Sequence, residues 1–211
     1  LFSFFLFYFC QGLPVGVGQI ALPAWLVANG AEEAAVAAIV ATVFLPWSFK
    51  FIPAALMDRY AFLAMGRRRA WLIAAQLLML AGFALAAFIA PGPDDLDAIL
   101  YVGFLVGAGS AIQDVAVDGL AVDILPEAEQ GTASSFMFGG QAVGMALGGA
   151  AAGYALQYYG SQVAFLVFLP IILLVTIFAA VLHERPGEKR FPWSSGAASP
   201  VNLERQAAAW W

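Results

Sequence analysis

Asp58-Arg59-Tyr60-Ala61-Phe62-Leu63-Ala64-Met65-Gly66-Arg67-Arg68-Arg69 separates two long apolar runs. Four cations and one anion lie within these twelve residues, and the flanking sequence is almost pure hydrocarbon. An ionised group at bilayer depth costs at least ~2.5 kcal/mol, so the stretch cannot lie in lipid. It is predicted to be a short loop on one face of a membrane, joining two spanning helices.

Composition points the same way. Of 211 residues, 63% are hydrophobic and 11% are charged, with a mean hydropathy of +0.85. A soluble domain carries about a quarter charged residues, so the surplus apolar surface must face lipid. The formal net charge is −5, but the position of the cations says more than their sum. The single cysteine, Cys10, lies in an apolar run; it has no internal disulfide partner and reads as packing. There is no zinc-ligand spacing, phosphate-binding glycine loop or nucleophile–base set. The one histidine, His183, sits at a span boundary. No cofactor, metal or nucleic-acid partner is therefore expected. The opening run lacks a basic region and a small-residue cleavage site, so it reads as a span rather than a leader. The chain opens on Leu1 inside an apolar run and closes on Trp210-Trp211 as an amphipathic stretch begins, which reads as a fragment of a longer protein.

A spanning helix needs about 20 mostly apolar residues. Six segments qualify: 1–28, 34–57, 70–90, 96–121, 132–158 and 162–183. Their short connectors predict an all-α membrane protein, a six-helix transmembrane bundle over residues 1–183. Loop-lying Lys and Arg mark the cytoplasmic side. Arg59 and Arg67–Arg69 follow the second span, and Arg185, Lys189, Arg190 and Arg205 follow the sixth. Both sets fall on one face; the opposite loops carry Glu32, Glu33, Asp94 and Asp95 and no cation. Both ends of the bundle are thus expected in the cytoplasm. Residues 184–211, rich in Pro, Gly and Ser, read as a cytoplasmic linker. Asn202 is placed to cap a short interfacial helix over 203–211, with the Trp pair at the membrane interface.

Ionisable residues inside spans are functional candidates by default. Lys50 lies eight residues before Asp58, roughly 12 Å from the loop at 1.5 Å per residue. Asp114 precedes Asp123 by nine residues, with Asp118 one turn further along the same helix face and Gln113 beside it. Two readings fit. Lys50, Gln113, Asp114 and Asp118 face a water-filled cavity that binds an anionic solute or carries a proton. Alternatively, Lys50 snorkels and the aspartates latch the bundle through Arg59 or Arg67–Arg69. Asp123 reads as a structural loop residue beside the basic cluster. In the first span, Pro14, Pro23, Gly12, Gly16 and Gly18 predict a kink, which would bring Gln11 and Gln19 to a solute path. Gln141 lies in the glycine-rich fifth span and is a third such candidate. There, Gly140, Gly144 and Gly148 form a doubled small-residue motif for close helix packing.

An enzyme reading is weaker. Asp114-x3-Asp118 is similar to the metal-holding aspartate motif of CDP-alcohol phosphotransferases, but the spacing differs. The region that would hold the second acidic pair, 133–150, contains no acid.

Several motifs occur together. Trp47-Ser48-Phe49-Lys50-Phe51-Ile52 leads to Asp58-Arg59-Tyr60 and then to Gly66-Arg67-Arg68-Arg69-Ala70-Trp71. Gln113-Asp114-Val115-Ala116-Val117-Asp118 runs on to Asp123, and Gly12-Leu13-Pro14 lies in the first span. This combination resembles the AmpG-like family of major facilitator transporters, which includes muropeptide permeases and acetyl-CoA transporters. The resemblance implies the N-terminal half of a twelve-helix carrier, whose partner is a C-terminal six-helix half. It implies proton-coupled uptake of a polar, anionic solute across a bacterial inner membrane: an anhydro-muropeptide, acetyl-CoA or a siderophore. It assigns Asp58, Arg59, Gly66 and Arg67 to the loop that latches the halves on the cytoplasmic side, with Arg68, Arg69 and Asp123 beside them. Lys50, Gln113, Asp114 and Asp118 fall at signature positions inside the bundle. There are departures. Ala54 stands where the general facilitator loop has glycine, and the gap from Arg59 to Gly66 is longer than usual. Gly148-Gly149 lacks the proline of the antiporter motif, which favours uptake over antiport. A non-transporting six-span subunit or sensor is the rival reading.

Overall fold

The computed structural model describes residues 1–208, and no strand occurs among them. The first span is α1 (Phe2–Gly16), a π turn (Val17–Ala21) and α2 (Leu22–Ala28). Pro14 and Pro23 each lack the N–H that would bond the carbonyl four residues back, so the expected kink takes the form of a π turn between them. The second span is α3 (Glu33–Ser48) and α4 (Phe51–Arg59). A continuous helix is expected here from hydropathy, but the span breaks at Phe49 and Lys50. Pro53 cannot donate to the Phe49 carbonyl, which takes the Ile52 N–H at 3.0 Å instead. The break places Lys50 outside regular helix, at the head of α4.

A 3₁₀ turn (Leu63–Met65) leads to α5 (Arg69–Ile89), then α6 (Leu96–Ile124), α7 (Glu127–Tyr158), α8 (Gly160–Leu166), α9 (Leu169–Val181) and α10 (Pro200–Ala208). The sixth span breaks between α8 and α9 because Pro170 lacks the N–H that would bond Leu166. Helix α6 runs three residues beyond the expected 121, so Asp123 lies in its last turn and not in a loop. Helix α7 starts at Glu127 rather than 132; Glu127 and Glu129 in its first turn suit the positive end of the helix dipole. Asn202 does not cap a helix starting at 203. It lies inside α10, with its side chain turned to Arg185 and Glu188. The expected interfacial Trp210-Trp211 pair lies outside the described residues.

Five stretches have the length and apolar composition to cross a membrane: Phe2–Ala28, Glu33–Arg59, Arg69–Ile89, Leu96–Ile124 and Gly160–Val181. Helix α7 has the length, at 32 residues. Its glycines and polar residues dilute its hydropathy, because it spends its surface on packing. A Cβ on Gly140, Gly144 or Gly148 would overlap the carbonyl oxygens of Phe5, Phe9 and Leu13 in turn. The register advances by four on both helices in the same direction, so α1 and α7 run parallel and their first turns share one end of the bundle. From α1, Gly12 and Gly16 complete the seam against Gln141 and Met145. Helices α5 and α6 pack antiparallel, with Gly82 against Val106 and Gly109 against Met79. Helix α6 also meets α3, α4 and α1, which places its polar residues at the meeting point of three spans.

This seam makes a testable contrast. Gly144→Val drives a branched side chain into the Phe9 backbone and is expected to cost about 1–3 kcal/mol or more. Gly139 has nothing within 4 Å, so Gly139→Ala should be neutral or stabilising by up to about 1 kcal/mol. Thermal unfolding in detergent reads both.

Candidate functional site

Asp114 is the hub of the interior polar residues. Helix α6 buries it, and Lys50 reaches it from the break in the second span to form an ion pair with its Oδ2. Gln11 on α1 donates from Nε2 to Oδ1 at 2.6 Å. A buried carboxylate is tolerated only with such partners. The pair is asymmetric: the Lys50 side chain is 37% exposed and that of Asp114 is 8% exposed. One turn along α6, Asp118 is exposed and accepts the Tyr8 hydroxyl at 2.5 Å. Gln113 is fully buried and turns the other way. It donates to the Phe7 carbonyl at 2.6 Å and accepts from Gln76 at 2.6 Å. Cys10 and Thr176 lie against the Gln76 amide oxygen. Gln113 therefore ties α6 to α1 and α5 and does not face the groove.

Lys50, Asp114 and Asp118 line an open groove with Ala54, Gly119, Asp58, Arg68 and Asp123. The groove leads from the interior pair to a charge cluster at the end of the bundle. In that cluster Asp58 accepts from Arg68 at 2.7 Å and Arg67 at 3.3 Å. Asp123 accepts from Arg68 at 3.0 Å, Arg67 at 3.3 Å and Arg205 at 2.7 Å. Gly119 supplies the floor: a Cβ there would lie 2.8 Å from Arg68 Nε. Arg59 stacks on Tyr60, 5.9 Å from the ring centre.

The loop between α4 and α5 is held by Glu184. Its Oε2 accepts the Arg67 N–H at 2.8 Å, and its Oε1 accepts those of Arg68, at 2.7 Å, and Arg69. These are the unpaired donors at the start of α5. Gly66 is required beside them. Its φ is +104°, and a Cβ would sit 2.5 Å from the Glu184 carboxyl carbon. Burial pushes the Glu184 pKa up, and the three N–H groups oppose that shift. Arg69 is buried and bonds carbonyls: Ala179 at 3.2 Å, Ala180, Lys189 at 2.8 Å and Arg190. It thereby caps the end of α9.

Of the residues predicted from sequence, the structure gathers Gln11, Lys50, Asp114 and Asp118 at one place and Asp58, Arg67, Arg68 and Asp123 at another. Asp114 and Asp118 pair with Lys50 and Tyr8, not with the loop arginines. Gln19 and Gln141 line a separate cleft with Phe44, Trp47 and Phe138, away from Lys50. Tyr8, Gln76 and Glu184 escaped the sequence reading, and Arg205 was read only as a tail cation, without its bond to Asp123. Tyr8 lies three residues before Gln11, on the same helix face, and that spacing was the available signal. Gln76 was a lone amide in an apolar run. Glu184 had no local signal, since its partners lie more than a hundred residues away. Among the described residues no group of three or more His, Cys, Asp or Glu side chains converges as a metal site requires.

Glu184→Ala leaves three buried N–H groups unpaired and should cost about 1–3 kcal/mol for each that water cannot reach. Glu184→Gln keeps one acceptor and should fall between it and wild type. The order of melting temperatures, wild type above Gln above Ala, checks the assignment.

Residues 4–209 match the Major Facilitator Superfamily. The chain is 31% identical over 179 residues to the anhydromuropeptide permease of Escherichia coli (strain K12), covering 84% of this chain and 36% of that protein. It is 30% identical over 191 residues to a Rickettsia conorii protein named AmpG 4, covering 88% and 45%. The chain thus spans less than half the length of these relatives. Among solved structures, a peptide transporter POT in complex with alafosfalin superposes with a TM-score of 0.69 at 18% identity. It covers 98% of this chain and 43% of that one. The six-helix bundle fits the N-terminal half of that fold. The chain belongs to the Major Facilitator Superfamily, and its similarity within it is to AmpG-type permeases.

Proposed function

We propose that this chain is the N-terminal half of a secondary transporter in a bacterial inner membrane, taking up a polar, anionic solute with protons. The observation that carries this reading is the Lys50–Asp114 pair, set at a break in a span and open to a groove. A buried pair serving only stability is weak design, because replacing both partners with apolar residues is often neutral or stabilising. A pair that a solute can enter has a use. Lys50 is the half-exposed partner and faces the groove. An anionic group arriving there competes with Asp114 for the ammonium. Asp114, whose side chain is buried, then loses its cation, and a buried carboxylate without one is costly. A proton takes the cation's place. Solute and proton binding are thereby linked, and leaving together restores the pair.

The solute class follows from similarity to the permease named for anhydromuropeptide; acetyl-CoA and siderophores fit the same chemistry. The rest of the cavity would come from a C-terminal six-helix half. The Asp58–Arg67–Arg68–Asp123 cluster would lie in the cytoplasm, where basic loops are retained, and serve as the latch between halves. Its arginines are bonded to two carboxylates on different helices, so relative movement of α4 and α6 must exchange these bonds.

In the complete protein in proteoliposomes, Lys50→Ala should lower anhydromuropeptide uptake at least about tenfold, the equivalent of one charged hydrogen bond. Asp114→Asn should retain solute exchange while losing accumulation driven by a proton gradient. Wild-type uptake by Lys50→Ala, or gradient-driven accumulation by Asp114→Asn, contradicts the respective role.

A further inference from the structure

The segment after α9 reaches three helix ends of the charged cluster. Glu184 takes the N–H groups that open α5. Arg185 Nη2 donates to the Asp123 carbonyl in the last turn of α6, at 2.6 Å. Gln206 Nε2 forks onto the carbonyls of Asp58 and Arg59, at 3.0 and 2.9 Å, where α4 ends. Helix ends expose these groups unpaired, so the linker finishes hydrogen bonding that the bundle leaves open.

The two parts of the segment are held differently. Residues 184–190 are anchored by the buried Arg69 and by the Lys189 N–H on the Ala64 carbonyl at 2.8 Å. Helix α10 buries only Asn202 and Gln206, with Val201 and Leu203 exposed. Among the described residues it is held by polar contacts: Asn202 with Arg185 and Glu188, Arg205 with Asp123, and Gln206 with the end of α4. Few buried apolar contacts mean a low free energy of local release.

The arginine bonds in the cluster are unequal. Arg205 holds Asp123 Oδ1 at 2.7 Å, while Arg67 is 3.3 Å from the same oxygen and 3.3 Å from Asp58. Arg67 Nε is buried and has no partner. Arg67 is therefore under-bonded next to an oxygen that a linker cation occupies more closely.

We propose that α10 is a strap across the cytoplasmic latch, exchanging with Arg67 for Asp123. With α10 docked, Arg205 occupies Asp123 and Gln206 seals α4, and the latch is held in the arrangement described here. With α10 lifted, Arg67 closes onto Asp123 and the end of α4 is free to move. This rests on the transport reading and adds a control element that lies outside the bundle.

The test uses the complete protein with Cys10→Ala and cysteines at two exposed positions, Phe62→Cys and Glu204→Cys. Spin-label distances between them report docking. The expected result is a short distance, replaced by a longer and broader one when Arg205→Ala and Gln206→Ala are added. A cleavable bismaleimide joining the two cysteines should abolish proton-driven uptake of anhydromuropeptide, and cleavage should restore it. An unchanged distance in the Arg205→Ala, Gln206→Ala variant, or undiminished uptake by the stapled protein, overturns the strap. The distance arm needs no solute. An unstapled protein that fails to carry the probe counts against the transport reading, and the distances alone then decide the strap.

Discussion

A charge inside a hydrocarbon layer must be paired, and the rest of this structure follows from how Asp114 meets that requirement. Its partners come from two other spans, Lys50 from the second and Gln11 from the first, and both meet the carboxylate on α6. Bringing them together needs close approach of α1, α3 and α6. The glycine seam between α1 and α7 sets α1 in place, and Gly103 and Gly107 let α6 close on Val43 of α3. Backbone packing and charge pairing are therefore one problem here. The small residues bring the helices near enough for short polar side chains to bond across them.

Breaks in helices serve the same end. The second span is interrupted at Phe49 and Lys50, and the interruption brings Lys50 into the lining of the groove. At the charged end the unpaired groups of α4, α5, α6 and α9 are finished by Gln206, Glu184, Arg185 and Arg69 respectively. The arginine-rich loop thus plays two parts. Arg67 and Arg68 meet the carboxylates of Asp58 and Asp123, whereas Arg69 meets carbonyls and fastens α9 to the segment after it. Three consecutive identical residues divide by the direction in which the start of α5 points them.

Much of this was legible in the chain. Apolar runs, the basic loop and the glycine spacing give six spans and their order, because lipid imposes a composition as well as a length. Lys50, Asp114 and Asp118 stand out as charges where none should be. Pairing was not legible. The aspartates had two plausible sets of cations, and only the helix crossing shows that Lys50 lies on Asp114 while the loop arginines are held by Asp58 and Asp123. The amides were the least readable: Gln11 and Gln113 are similar in sequence context, yet one bonds the central carboxylate and the other a backbone carbonyl. Gln19 and Gln141 share a different cleft. Boundaries moved where a proline or an acidic first turn outweighed hydropathy, as at Pro53 and Glu127. Glu184 and Gln206 act through contacts more than a hundred residues away in sequence, which no local pattern encodes.

The proposed coupling is an exchange at Asp114, in which the solute takes Lys50 and a proton takes its place. The most direct test is proton uptake on binding: anhydromuropeptide added to the complete detergent-solubilised protein in weakly buffered solution, followed with a pH indicator. The medium is expected to turn more alkaline as solute binds, and Asp114→Asn to abolish this change while still binding. Solute binding by the wild-type protein with no movement of protons would contradict it.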